Sequence, residues 1–256
     1  MMTLRLSGEG HHFTRSGFCD MDAPPPPADL PAILVSYWYV KGWLRYQPRI
    51  NYRSWALDSG AFSAYNSGKK IDIDQYVEFC KEKQASDSTL HEIFALDVVK
   101  DWRAGLRNVE RMWGEGIPAI PTYHIGEPEH VLEHLAKNYP KIALGGVKAL
   151  RGKAKREWPI ACFRRIWPCR VHGFAVTGVK DILAVPWDSV DSTTWFFGPQ
   201  TYGMWRAYGG RMCVLGGVKK KSYAPEVRTY LELERKCRAR WRRKYSELEQ
   251  LTKEAS

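Results

Sequence analysis

The chain has 256 residues, 44% hydrophobic and 26% charged, the balance of a globular protein large enough for one sizeable core. No apolar run approaches the length that crosses a bilayer, and the N-terminus lacks the apolar stretch of a secretory signal, so the sequence predicts a cytoplasmic protein rather than a membrane or exported one. The net charge is +11, and segment 219–244 holds eleven Lys or Arg against three Glu, which leaves the remaining body close to neutral.

Residues 1–31 predict an arm outside the fold, because Pro24 to Pro27 form an extended stretch that joins neither a helix nor a sheet interior. His11 and His12 have no Cys or carboxylate at ligand spacing. None of the six cysteines pairs at CxxC spacing, so reduced thiols and no metal site are expected. From Ala32 onward, short β-rich runs recur at 32–39, 54–57, 92–96, 119–123, 141–144, 170–176 and 182–185. Segments 72–83, 102–113 and 128–137 between them carry helical apolar spacing. Strands alternating with helices predict a parallel sheet with crossover connections. An eighth run at 211–215 brings the pattern to a (β/α)8 TIM-type barrel, with an open doubly wound sheet as the alternative.

The last segment, 226–256, predicts a helix with an apolar stripe through Val227, Tyr230, Leu231, Cys237, Trp241, Tyr245, Leu248 and Leu251. Its other face is basic. Lys219, Lys220 and Lys221 with Arg235, Arg238, Arg242 and Arg243 form a candidate nucleic-acid grip, since neutralising phosphates releases counterions and drives binding. A solvated helix face is the alternative. Three units follow: an arm 1–31, a barrel 32–225 and a basic helix 226–256.

Polar residues cluster just after the predicted strands, where barrels collect their chemistry. Asp58 stands in Leu57-Asp58-Ser59-Gly60-Ala61-Phe62, either as a working carboxylate or as the cap of the next turn. Asp97 follows an apolar run and needs donors, from a ligand or from Lys100 or Arg103. His124 closes Pro121-Thr122-Tyr123-His124. Gly145 and Gly146 offer open backbone, and Asp188 and Asp191 lie three apart among Ser, Thr and Trp. Several acids around one mouth, without a metal cluster or a phosphate-cradling loop, suit substitution at a glycosidic carbon, in which one carboxylate attacks and another handles the proton.

In order along residues 32–195 these segments resemble the tRNA-guanine transglycosylases. Leu57-Asp58-Ser59-Gly60-Ala61-Phe62 is similar to their LDSGG motif with Ala61 in place of the second Gly. Ala95-Leu96-Asp97, Ala143-Leu144-Gly145-Gly146-Val147 and Trp187-Asp188-Ser189-Val190-Asp191-Ser192 resemble their later acidic, base-recognition and nucleophile segments. Asp-Ser-Val-Asp-Ser-Thr before Trp195, and His124-Ile125-Gly126, look closest to the DNA-modifying branch of phages and genomic islands.

The resemblance implies exchange of guanine in DNA for a 7-deazaguanine such as preQ0, a modification that protects DNA from restriction. Asp191 would be the nucleophile, with Asp188 as the other candidate, and Asp58 the general acid/base. Ser59, Asp97, His124, Gly145 and Gly146 would hold the base. The exchange implies no cofactor, and no zinc subdomain or metal is expected, because the family's zinc-binding Cys cluster has no counterpart around Cys213. DNA ahead of tRNA, the deazapurine and accessory DNA-modification proteins are the implied partners. A duplex target would have its guanine extruded, with Trp195, Phe196, Phe197, Tyr202 and Trp205 as candidate wedges or core.

Overall fold

The structure, a computed structural model, describes residues 2–176, 178–202, 205–206, 212–213 and 222–254. Eight strands form one parallel sheet: β1 (Thr3–Ser7), β2 (Ala32–Ser36), β3 (Ser54–Asp58), β4 (Leu90–Ile93), β5 (Thr122–His124), β6 (Lys141–Gly145), β7 (Arg170–Gly173) and β8 (Ser189–Ser192). Their hydrogen-bonded order runs from β4 back to β1, across to β8 and back to β5. A parallel bridge between Phe94 and Ile120 joins the two ends, with Ile120 N donating to Ile93 O at 2.8 Å and Ala95 N to Ile120 O at 2.9 Å. The cycle is that of a (β/α)8 barrel.

The outer helices are α1 (Gly10–Phe13), α2 (Val40–Tyr46), α3 (Ala61–Asn66), α4 (Ile73–Ser86), α5 (Trp102–Gly114), α6 (Glu129–Asn138), α7 (Ala154–Ile166), α8 (Val179–Ile182), α9 (Thr194–Phe197) and α10 (Ala224–Glu254). Asp72 and Asp101 start α4 and α5 as N-caps, their carboxylates accepting backbone N–H groups of the first turn. α7 carries Pro159 in its interior, which hides it from a helical reading.

Three expectations about the strands are corrected. The first barrel strand lies inside the segment expected to be an arm: Leu4 and Leu6 face the helices while Arg5 points into the bore. The run at 182–185 is the end of α8 and a turn, and the eighth strand is 189–192. Met212–Cys213, within the run expected to be the eighth strand, instead pairs antiparallel with Trp205–Arg206 outside the barrel sheet.

Side chains alternate between bore and helix layer, and the bore is stratified. Its lower end, where the strands start, is ionic. Arg5 binds Glu92 at 2.8 Å, Lys141 reaches Glu92 and Asp188 at 2.6 Å each, and Arg170 binds Asp188 at 2.9 Å. Burial raises the pKa values of both carboxylates, but the cations outweigh it: Arg5 and Lys141 hold that of Glu92 at about 2, and Arg170 and Lys141 hold that of Asp188 at about 2. The middle layer is apolar, built from Leu34, Ala56, Phe94, Ile120 and Ala143 with Phe174 against them. The upper layer, where the strands end, is acidic.

α10 is the barrel's own eighth helix rather than an appendage. Val227, Tyr230, Leu233 and Cys237 are buried, and Glu234, 2% exposed, accepts Leu4 N at 2.8 Å and pairs with Arg53 at 2.5 Å. Its start meets the upper end, where Tyr230 Oη lies 3.1 Å from Ser192 Oγ. Four and eight residues later it reaches Leu4 and then Met2, whose carbonyl accepts Arg238 Nε at 2.6 Å. It therefore runs from the strand ends toward the strand starts, and no helix among the described residues is long and apolar enough to cross a membrane.

Candidate active site

At the upper end, β3 delivers Asp58 as its last residue. The chain then turns through Gly60 at φ +76°, a left-handed conformation in which a Cβ would lie 2.5 Å from Ser36 Oγ and 2.9 Å from Trp38 N. Glycine is thus required there, and its N–H is directed back at Asp58 Oδ2 at 3.2 Å. Asp58 lies within electrostatic reach of Asp97 and Asp191. Burial first, then those two carboxylates, push its pKa up to about 7, against the N–H groups of Gly60 and Ser59 that lower it.

Asp97 follows β4 and organises the neighbouring strand ends. It accepts the Ser59 hydroxyl on Oδ1 at 2.9 Å and meets His124 Nε2 at 2.8 Å through Oδ2. Burial works against protonation of His124, yet the Asp97 contact outweighs it and the imidazole is shifted upward. The alternative partners Lys100 and Arg103 form no ion pair with Asp97 among the described residues. Behind the ring, His124 N donates to Glu127 Oε2 at 3.0 Å, and burial raises that carboxyl.

Gly145 and Gly146 end β6 beside this cluster. A Cβ on Gly145 would come within 2.5 Å of His124 Nδ1, so the absence of a side chain makes room for the imidazole. The Gly145 carbonyl accepts Ile125 N at 3.3 Å and that of Gly146 accepts Ala149 N at 2.9 Å, leaving each a second lone pair for a ligand.

Asp191 lies on β8 at 5% exposure, with its carboxylate in the bore. Ala175 N donates to Oδ1 at 2.8 Å, from a backbone at φ +55°, a strained position for a residue with a side chain. His172 Nε2 is 3.5 Å from the same oxygen. Strain of this kind persists where surrounding structure enforces it, and here it aims an amide at the carboxylate.

The structure thus brings Asp58, Ser59, Asp97, His124, Gly145 and Asp191 to one mouth, and it separates Asp188 from them. Asp188 precedes β8, in the ionic layer, about 10 Å back along the strand. Its ion pairs with Lys141 and Arg170 hold it in that layer, away from this mouth. The basic residues are also redistributed. Arg235 pairs with Asp29 at 2.7 Å and Arg238 with Glu234 at 2.7 Å, both structural contacts at the lower end. Arg242 and Arg243 are exposed one turn farther from the mouth, and Lys219, Lys220 and Lys221 lie outside the described residues.

Trp195 and Phe196 are core at 0% and 5% exposure, and only Phe197 of that run is exposed, at 48%. The side chains of Tyr202 and Trp205 lie outside the described set. Exposed rings do follow other strand ends: Phe62 and Tyr65 after β3, with Lys100 Nζ 5.9 Å from the Tyr65 centroid. The sequence reading missed Glu127 and His172. The signal for His172 was its place between Arg170 and Phe174 on a strand whose alternate residues face the bore.

No family model and no curated protein matches the chain. Among solved structures it is similar to two variants of the tryptophan synthase α subunit from the hyperthermophile Pyrococcus furiosus. Both are 11% identical, matched over 91% of this chain and 96% of theirs, with TM-scores of 0.50 and 0.49. The carboxyl transferase domain of Rhizobium etli pyruvate carboxylase is 12% identical over 91% of this chain and 47% of that one, with a TM-score of 0.46. At these identities the likeness is one of fold, and the fold that the comparison supports is the (β/α)8 barrel.

Proposed function

We propose that the chain is a base-exchange enzyme that replaces guanine in DNA with a 7-deazaguanine through a covalent intermediate on Asp191. The observation that carries this reading is the convergence of Asp58, Asp97 and Asp191 at the ends of three different strands, with Asp58 poised near neutrality. Substitution at a glycosidic carbon asks for two carboxylates in different roles, and a proton carrier works best when its pKa is near the operating pH.

The Asp191 carboxylate attacks C1′ of the deoxyribose as the C1′–N9 bond breaks, and the departing guanine takes the proton of Asp58. The incoming 7-deazaguanine then attacks C1′ through N9 and gives that nitrogen's proton to Asp58, while the ester to Asp191 breaks. Atoms and charge return to their starting state, and no outside reductant or energy source is consumed. Asp97, oriented by Ser59 and His124, offers acceptor capacity to the N–H edge of the base, and the Gly145 and Gly146 carbonyls can accept beside it. Phe62 and Tyr65 on the rim present faces on which bases next to an extruded guanine could stack.

The identity of the polynucleotide rests on the motif resemblance. The arginines of α10 lead away from the mouth, so they do not favour DNA over tRNA at the site itself. Incubation with labelled guanine or preQ0 and either DNA or tRNA tests the reading. Incorporation into DNA, lost in Asp191→Asn, is expected. Incorporation into tRNA alone would replace the substrate, and incorporation into neither would end the proposal.

A further inference from the structure

We infer that His172 is a positioning residue for Asp191: its Nε2–H holds Oδ1 and thereby leaves Oδ2 turned to the mouth as the attacking oxygen. The inference rests on Asp191 being the nucleophile of the proposed exchange, and its geometry can be tested without that reaction.

His172 is fully buried on β7, in a three-ring cluster with Phe94 and Phe174, whose ring centroids each lie 4.6 Å from its own and 4.8 Å from each other. Both ring nitrogens address β8. Nδ1 lies 2.8 Å from Ser189 Oγ, and Nε2 lies 3.5 Å from Asp191 Oδ1. The decisive contact is one step farther down the bore, where Lys141 Nζ lies 2.8 Å from the same Ser189 Oγ.

An ammonium only donates, so the Ser189 oxygen accepts from Lys141. The hydroxyl has one hydrogen, and its remaining neighbour in line is His172 Nδ1. Nδ1 is therefore the acceptor, and the ring's own hydrogen resides on Nε2, facing Asp191. A second ring proton is disfavoured first by burial and also by the charge of Lys141, against the pull of Asp191 and Glu92. The neutral ring thus has one tautomer, fixed by a cation two groups away.

The consequence falls on a single oxygen. Ala175 N and His172 Nε2 both approach Oδ1 of Asp191. The 3.5 Å separation is longer than a full hydrogen bond, and such contacts commonly tighten when the reacting complex forms. With Oδ1 held by Ala175 N and faced by the otherwise unpartnered Nε2 of His172, the carboxylate plane is set and Oδ2 is the oxygen presented to C1′. The chain of contacts continues from Lys141 to Glu92 and Arg5, which gives the ionic layer a function beyond filling the bore.

Nitrogen-15 NMR of the histidine-labelled full chain reads the tautomer directly, with His172 assigned by the loss of its signal in His172→Gln. A neutral Nε2–H ring across about pH 6 to 8 is expected. Ser189→Ala should mix the tautomers. An Nδ1–H ring or an imidazolium in that range would overturn the inference, whatever the enzyme's substrate. In single turnovers with DNA, His172→Leu should slow adduct formation by about 10- to 100-fold, the range seen when outer partners of a working group are removed. Its KM for the free base should be unchanged. His172→Gln, whose amide nitrogen can occupy the place of Nε2, should restore most of the rate.

A His172→Leu protein that forms adduct at the wild-type rate would refute the positioning role even where Asp191→Asn is inactive. Wild-type exchange by Asp191→Asn would instead refute the nucleophile assignment. If His172→Leu does not fold, Ser189→Ala carries the test, and an unchanged tautomer there contradicts the relay.

Discussion

Asp97 meets His124 Nε2 with Oδ2 at 2.8 Å while Oδ1 accepts the Ser59 hydroxyl at 2.9 Å, so one carboxylate ties the ends of β3, β4 and β5 together. Because this contact raises His124, the stability it contributes is fully present below the imidazole's ordinary value and is lost as pH rises through the folded one. Asp97→Asn should therefore cost about 1–2 kcal/mol at acidic pH, the scale of a hydrogen bond to a charged group. Paired thermal melts should show the gap from wild type narrowing between about pH 5.5 and 8.5. A gap that widened with pH would contradict the assignment.

Asp58 shows the same sign with a different consequence. A carboxyl raised to about 7 favours the folded state when protonated, and that contribution is lost as pH rises through about 7. Moving a carboxyl from 3.8 to about 7 would carry roughly 4 kcal/mol, but Asp58 is partly exposed and solvent screens it. Asp58→Asn should gain on the order of 1 kcal/mol at pH 8 and little at pH 5, while losing base exchange. Melts at the two pH values, beside an exchange assay, measure both sides of this trade.

Lys141 is itself buried and holds two carboxylates, Glu92 and Asp188, that are themselves largely buried. Lys141→Met leaves Glu92 and Asp188 with one cation fewer, and breaking such a buried network typically costs about 3–5 kcal/mol. For a chain of this size that corresponds to a fall of roughly 6–20 °C in Tm, read by calorimetry. A change of less than about 1 kcal/mol would show the layer to be dispensable for folding.

Gly145 makes room for His124, and an added methyl has nowhere to go but into the imidazole. Gly145→Ala should displace the ring from Asp97 and weaken binding of the free base by about 10-fold, the loss of roughly 1.4 kcal/mol. Isothermal titration with preQ0 checks it, and unchanged affinity would remove Gly145 from the base site.

The position of α10 yields a further expectation. Arg242 and Arg243 lie beyond the strand starts, whereas Lys100 stands near Tyr65 at the mouth. Reversing Arg242 and Arg243 to Glu should change DNA affinity less than Lys100→Glu does, with the smaller change in salt dependence as well. The opposite ranking, measured by fluorescence anisotropy across salt concentrations, would return the nucleic-acid contact to the helix.

The alternation of apolar runs and helices made the barrel legible in the sequence, because most strands bury side chains on both faces. β1 and β8 escaped that reading for one reason: their bore-facing residues, Arg5, Ser189 and Asp191, are polar. Only Leu4, Leu6 and Val190 remain as an apolar signal. Asp58, Asp97 and His124 were legible by their places after strands. Asp188 was misleading, since three residues along a strand connect the ionic layer to the acidic one. The direction of α10 was invisible, because an apolar stripe gives the packed face of a helix and not which end of the barrel its charges reach.

The most direct measurement is the identity of the residue that carries the sugar. Acid quenching of the protein with DNA in the absence of free base, followed by proteolysis and mass spectrometry, should find deoxyribose-linked DNA on the peptide containing Asp191. Asp191→Asn should show none. Linkage to another residue, or no adduct in a preparation that exchanges labelled guanine into DNA, would contradict the account.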